Sequence, residues 1–288
     1  CAFFETPDQS LRGAQLNKLR TSIKRLGIEP DMFVLDIGCG WGELTRLITN
    51  ETEAQRVVGI TLAEEQCKLA RERIAPDHGN RLSYLLEDYR HHARNNEGAY
   101  DRIVSIGMFE HVGVGYFPDY FRKCRSLLAD DGVMLLHSIG RFDGPGDTNS
   151  WIDKYIFPGG YVPALSETLL ALERLGIWVS DVEVLRLHYY YTLRHWRLRF
   201  EKNREKARQI YDERFCRMWE TYLIGAELSF LNDTHMVFQL ILSNERDDVP
   251  IVRRTYVGDQ PARLVKPAGR AARRLRPQPL PAQSPPTE

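Results

Sequence analysis

The chain has 288 residues, is 43% hydrophobic, and balances 39 lysines and arginines against 39 aspartates and glutamates. That is enough apolar material for one sizeable core, and the balance excludes the global basic field of a nucleic-acid binder. No apolar run is long enough to cross a bilayer, and Cys1-Ala2-Phe3-Phe4-Glu5 is not a charged-then-apolar leader.

Residues 11–27 predict a helix, because Leu16, Leu19, Ile23 and Leu26 fall near a 3.6-residue period, and Pro30-Asp31 ends it. Phe33-Val34-Leu35-Asp36-Ile37 predicts a buried strand that feeds Gly38-Cys39-Gly40-Trp41-Gly42, and a helix with Leu44, Leu47 and Ile48 follows. Next come a strand at 57–60, a helix at about 63–75 and a third strand at Leu82–Leu86. Two further strands are predicted at 102–106 and 133–137. Strands alternating with helices argue for a parallel sheet with helices on both faces. From about 141 to 165 the composition turns to Gly, Pro, Asp and aromatics, which predicts a loop-rich insertion over the active site. Residues 192–230 read as helical, and Val237–Leu242 as the last strand.

Residues 1–245 are therefore expected to form the catalytic domain, with a lid and acyl-binding insertion within 141–230. Residues 246–288 are expected to be a C-terminal extension, basic, Pro-rich and disordered from about Asp259. Without an initiating Met, the chain is expected to be a fragment. Five scattered cysteines lack metal-ligand spacing, which points to no metal and to reduced thiols in a cytoplasmic compartment.

The glycine turn carries the first chemical signal. A strand delivers the chain to Gly38, Gly40 and Gly42, where the backbone can approach a ligand beyond the strand end. The spacing is G-x-G-x-G rather than the dinucleotide G-x-G-x-x-G, and no acid follows the second strand to hold an NAD ribose. With Asp36 just before it, the turn resembles the S-adenosylmethionine (SAM) site of class I methyltransferases. Asp36 and the turn backbone, Trp41 included, are then expected to hold the amino-acid end of SAM. Thr61, Leu62 and Gln66 are candidates for the ribose and methionine, although Thr61 reads equally well as a helix cap. Asp88 is a candidate for the adenine amino group and Tyr89 for stacking on the ring.

Several further segments converge. They are Cys1-Ala2-Phe3-Phe4, Gly59–Gln66, Ser105–Gly113, Leu135–Gly140, Ile156–Gly160, His188–Leu193 and Tyr211–Phe215. Together with the glycine turn they resemble the cyclopropane-fatty-acyl-phospholipid synthases and mycolic acid cyclopropane synthases, over nearly the whole chain to about residue 245. The resemblance implies a Rossmann-like, mostly parallel seven-stranded sheet and transfer of the SAM methyl to a cis double bond in an unsaturated fatty acyl phospholipid. It also implies bicarbonate as the base, held by Cys1, Glu110, His137, Ile139 and Tyr189, with Tyr190 as the alternative to Tyr189. The chemistry accounts for such a site. An alkene is a poor nucleophile, so the methyl must be aimed at it in a dry slot. Aromatic faces can stabilise the resulting cation, and a base must remove a proton from the transferred methyl.

The Tyr-Ser pair that usually precedes the Cys in that family, and its N-terminal lipid-binding domain, are not in this sequence. Other readings are a fatty acyl C-methyltransferase with a methylene- or methyl-branched product, a small-molecule or protein methyltransferase, and an inactive SAM- or lipid-binding regulatory module. A bilayer substrate implies membrane docking at the inner face. Arg194, Arg197, Arg199, Lys202, Arg204, Lys206 and Arg208 form a basic run with Trp196 and Phe200 interleaved. Arg263, Lys266, Arg270, Arg273, Arg274 and Arg276 would add to it, while a solvated helix face paired with Glu201 and Glu205 is the competing reading. A homodimer is also open.

Overall fold

A computed structural model of the chain describes residues 1–249, so the expected tail and its basic residues lie outside the described part. The first helix, α1, is Leu11–Leu26, started by the Ser10 side chain accepting from the Gly13 N–H and stopped by Gly27 at φ 55°. Strand β1 (Phe33–Ile37) leads through the glycine turn into α2 (Glu43–Glu51). The repeat continues with β2 (Arg56–Thr61), α3 (Glu64–Glu72), β3 (Leu82–Leu86), α4 (Tyr89–Asn95), β4 (Tyr100–Ile106), α5 (Phe117–Leu127) and β5 (Leu128–Arg141). After β5 come α6 (Ser150–Tyr155), α7 (Leu165–Arg174) and β6 (Trp178–Val184). Three helices follow, α8 (Arg186–Lys202), α9 (Arg204–Ile210) and α10 (Glu213–Asn232), before β7 (His235–Ser243).

The seven strands form one sheet in the order β3-β2-β1-β4-β5-β7-β6. Neighbours from β3 to β5 pair parallel, and β7 runs antiparallel to both β5 and β6. The expected mostly parallel seven-stranded sheet is therefore present. Its central strands are apolar on both faces because helices cover both. One apolar cluster packs Leu35, Ile103 and Leu136 against Phe117, Phe121 and Leu172 of α5 and α7. The other packs Val34, Val104 and Leu135 against Leu19, Leu26, Leu44 and Cys67 of α1, α2 and α3.

Two expectations needed correction. Sequence patterning placed no strand at 178–184, because β6 is an edge strand whose residues are at most partly buried and whose alternation includes Asp181 and Glu183. The helical stretch expected at 192–230 begins earlier, at Arg186, and is three helices that break at Asn203 and at Tyr211-Asp212. Asp212 caps the third helix by accepting from the Phe215 N–H at 2.6 Å. No helix among the described residues is long and apolar enough to cross a membrane.

Candidate active site

The glycine turn lies beyond the C-terminal end of β1. Gly38, Gly40 and Gly42 have φ of 80°, 56° and 77°, a region that side chains disfavour. Packing makes two of them obligatory. A Cβ on Gly38 would come within 2.7 Å of Met108, and one on Gly42 within 2.6 Å of the Tyr84 ring. Gly40 differs, since a Cβ there meets nothing within 4 Å, so its free face borders open space. Gly38 and Cys39 donate to the Ile60 carbonyl and Gly42 to that of Cys39, whereas the N–H groups of Gly40 and Trp41 take no acceptor among the described residues. Trp41, within the turn, and Leu62, just after β2, are 53% and 69% exposed.

Asp36 is buried and accepts from the Thr45 hydroxyl at 2.9 Å. Burial pushes its carboxyl up to about 7, against the opposing pull of Thr45 and the Lys18 ammonium. Thr61 is buried, and its hydroxyl oxygen takes the Ala63 N–H at 3.2 Å, bracing the chain before α3. The N-cap of that helix is Ala63 itself, and Gln66 is half-buried on its first turn. Asp88 caps α4 through the Arg90 N–H at 2.8 Å and also pairs with the Arg90 guanidinium, at 2.6 Å from Nη2. Those bonds hold its carboxyl below the usual range, and an adenine contact would have to use the lone pairs they leave. Tyr89 stacks edge-on against Tyr120 with ring centres 5.3 Å apart.

The expected base residues come from the turn after β4, from within β5, from α8 and from the first residue of the sequence. Glu110, in a single 3-10 turn after β4, accepts the Ile139 N–H at 2.7 Å through Oε1. Its Oε2 is buried without a hydrogen-bond partner among the described residues. Burial pushes this carboxyl up, and the Ile139 N–H opposes that shift. His137 and Ile139 are two apart on β5 and so share a face. Cys1, Ile139 and Tyr189 pack into one apolar cluster with Leu185, Leu193, Tyr222, Phe230 and Val237. The Tyr189 hydroxyl is pushed up by burial, and next by nearby Tyr222 and Glu110. Tyr190, by contrast, turns its hydroxyl to Arg194 at 3.3 Å. The Cys1 thiol points to the Ala2 carbonyl, 3.0 Å away, and the segment is pinned where Ala2 N–H donates to Thr192 at 2.9 Å and Phe4 N–H to His188 at 3.0 Å.

Sequence reasoning missed three residues that touch this region. Gln239 on β7 lies 2.9 Å from His137 Nδ1, and Arg25 on α1 is held against Gln239. Lys18, also on α1, lies within electrostatic range of both Asp36 and His137. The signal for Gln239 was a polar residue inside the apolar run Val237–Leu242, whereas Arg25 and Lys18 sit on a helix that also carries Arg12, Arg20 and Lys24 and so do not stand out.

The basic helix is more committed than its sequence implied. Arg197 pairs with Glu227 and Glu201 at 2.7 Å, Arg204 with Glu220 at 2.7 Å and Glu213 at 2.8 Å, and Arg208 with Glu205 at 2.6 Å. Trp196 and Phe200 pack inward against the Tyr222–Phe230 cluster instead of facing out. The most exposed apolar groups of these three helices are Ile210 and Tyr211, ahead of Leu198 on α8 and Leu228 on α10.

Strand order and glycine turn together define a class I SAM-dependent methyltransferase fold. A family model described as mycolic acid cyclopropane synthetase matches residues 1–240, and the chain belongs to that family. It is 38% identical over 237 residues to a "Probable fatty acid methyltransferase" of Pseudomonas putida, covering 80% of this chain and 59% of that protein. It is 35% identical over 243 residues to the cyclopropane-fatty-acyl-phospholipid synthase of Escherichia coli K12, covering 84% and 61%. The chain thus spans about three fifths of these two relatives. Among solved structures, the mycolic acid cyclopropane synthase CmaA1 complexed with SAH and CTAB superposes with a TM-score of 0.76 at 30% identity, covering 84% of this chain and 88% of that one.

Proposed function

We propose that this chain transfers the methyl of SAM to the cis double bond of an unsaturated fatty acyl chain in a phospholipid and closes it into a cyclopropane ring. The observation that carries the reading is the buried Glu110, with one oxygen bound to Ile139 and the other unpartnered, in the region that also gathers His137, Tyr189 and Cys1. SAM, when bound, supplies an electrophilic methyl. The open face of Gly40 and the unused N–H groups of Gly40 and Trp41 suit its amino-acid end, with Asp36, Gly38, Gly42 and Lys18 around it. Thr61, Leu62 and Gln66 would meet the ribose and methionine, and Asp88 and Tyr89 the adenine.

Bicarbonate, when bound, supplies the base for a proton on the transferred methyl. It fits the residues present, because its O–H can donate to the orphaned Glu110 oxygen while its other oxygens accept from the protein. Glu110, His137, Tyr189 and the backbone at Ile139 and Cys1 would hold it. Tyr189, Tyr222 and Phe230 offer aromatic faces beside developing positive charge and keep water out. Residues 1–245 would act as the catalytic unit, with 141–230 contributing the cover over the acyl chain. Docking at the inner face of the membrane would rest on Ile210, Tyr211 and the cations that have no acid partner above, such as Arg199 and Lys206.

The test uses the purified chain, methyl-labelled SAM, and vesicles of cis-unsaturated phospholipid, in buffer with and without bicarbonate. A cyclopropane acyl product that depends on bicarbonate is expected. Absence of label in lipid, with SAM binding shown by calorimetry, would overturn the assigned acceptor. The 38% identical relative named a fatty acid methyltransferase favours one second reading, a methylene- or methyl-branched product from the same site. Chromatography against branched standards separates the two.

A further inference from the structure

The sheet register puts three polar side chains in one row. Gln239 on β7 lies directly opposite His137 on β5 and Glu183 on β6, so all three project from the same face. Asp181, two residues before Glu183, shares that face. Helix α1 contributes Arg25 to the row, with its side chain wholly buried. The guanidinium is bound to Asp181, to Glu183 at 2.6 Å and to the side-chain oxygen of Gln239.

Donor and acceptor identities then propagate along the row. A guanidinium can only donate, so the Gln239 atom facing it must be the carbonyl oxygen. The other end of that amide, the NH2, therefore faces His137 Nδ1 across 2.9 Å. An NH2 can only donate as well, so Nδ1 must accept and the imidazole proton belongs on Nε2. Protonating Nδ1 would set two donors against each other. It would also add a cation to a buried place near Lys18 and Arg25 of α1; burial, the largest influence, keeps His137 well below its ordinary value. Asp181 and Glu183 make the buried Arg25 tolerable by compensating its charge.

We propose that Arg25 and Gln239 are positioning residues that lock His137 as an Nε2–H donor toward the anion of the site, so that His137 orients the base and does not itself take the substrate proton. The inference rests on the reading of the Glu110–His137–Tyr189 cluster as an anion site. It adds to that reading a direction for the hydrogen bond and two residues outside the cluster that set it. It also separates two duties that a lone active-site histidine could otherwise share.

The test is a long-range ¹H–¹⁵N correlation spectrum of the folded chain labelled at its eight histidines, without lipid, assigned with His137→Gln. The expected pattern is a protonated Nε2 and an unprotonated Nδ1 for His137. Gln239→Glu replaces the donor with a carboxylate acceptor of similar size, and the proton should move to Nδ1. With that change, bicarbonate-dependent turnover should fall about 100-fold while the Kd for SAM stays put. Arg25→Lys keeps a donor on the Gln239 oxygen and should retain both the wild-type tautomer and most of the turnover. Near-ultraviolet circular dichroism checks that each variant folds. A wild-type Nδ1–H, or a Gln239→Glu variant that flips the tautomer with turnover unchanged, overturns the inference. A wild-type Nε2–H in a chain that makes no lipid product would instead count against the acyl assignment and leave the tautomer lock standing.

Discussion

The two halves of the candidate site are built in opposite ways. The cofactor half is a contiguous turn, Asp36 to Gly42, whose shape comes from three positive φ angles and whose free edge is backbone N–H, with Trp41 of the turn exposed. The base half is assembled from residues as distant as Cys1, Glu110, His137, Tyr189 and Gln239, and it is buried and largely apolar. The difference suits the two tasks. A backbone turn can hold a polar ligand at a mouth open to solvent, whereas stabilising developing charge on an alkyl chain requires polar groups fixed in a dry place before the substrate arrives. The cofactor half should therefore fail through backbone strain, and the base half through the loss of single polar atoms.

The largest expected effect falls on the base half. Glu110→Gln keeps the side-chain size and removes the anionic acceptor, so turnover should drop by about 10²- to 10⁴-fold with the Kd for SAM unchanged. Labelled product in lipid and calorimetry with SAM check the two parts. A parallel loss of SAM affinity would show that the halves are not separable.

The next contrast sits inside the glycine turn. In Gly42→Ala the new Cβ would press on the buried Tyr84 ring, whose hydroxyl donates to the Gly42 carbonyl at 2.8 Å. Overpacking together with a left-handed φ predicts a cost of about 3 kcal/mol and a Tm lower by roughly 5–10 °C. Gly40→Ala meets no atom, so only about 1 kcal/mol of backbone strain is expected. Its SAM affinity should nevertheless fall by about 10-fold or more, because the Cβ enters the ligand's space. Calorimetric Tm and SAM titration on both variants measure the difference.

A subtler separation is in pH. Asp36 is raised from its ordinary value to about 7 by burial, so the folded chain binds this proton more tightly than the unfolded one. Its contribution to stability is fully present below about pH 4 and is lost as the pH rises through about 7. His137 is shifted the other way, so its contribution is present above about 6.5 and is lost as the pH falls below that value. Asp36→Asn should flatten the decline of Tm between pH 4 and 7, and a His137→Gln chain should lose part of the acid-side slope. SAM carries an ammonium, so its affinity should also rise through pH 7 in the wild type and not in Asp36→Asn.

The smallest effect is at the surface. Ile210 and Tyr211 are 74% and 64% exposed, with Tyr211 stacked on Phe215, so Ile210→Ser with Tyr211→Ser should shift Tm by no more than about 4 °C. Sedimentation with anionic vesicles should nonetheless fall if this corner meets the bilayer. Unchanged sedimentation would move the docking surface elsewhere.

Much of this molecule was legible in the sequence. The β1 boundary at 33–37, the Gly38–Gly42 turn and the place of Glu110 just after β4 follow from runs of adjacent residues, where period and spacing carry the information, whereas the strand expected to end at His137 continues to Arg141. Edge strand β6 was not legible, because its partial exposure removes the continuous apolar run that marks a buried strand. The break of the long helix into α8, α9 and α10 was missed for a similar reason: Asn203 and Tyr211-Asp212 are not Gly or Pro, and a cap signal inside an otherwise helical stretch is weak. Trp196 and Phe200 looked available to lipid because a linear basic-aromatic run does not tell which side of its helix is covered.

By itself the sequence determined the alternation that makes a parallel sheet, the turn able to approach a ligand, and the set of polar residues the chemistry needs. The tertiary structure decided which of those residues meet. Pairing β7 antiparallel between β5 and β6 sets Gln239 opposite both His137 and Glu183, and laying α1 across that face delivers Arg25 to the row. Periodicity reports which face of an element is buried, but the partner across a sheet depends on strand order and register. Those are settled by packing the whole core, so the direction of a proton on His137 is a property of the fold rather than of any motif.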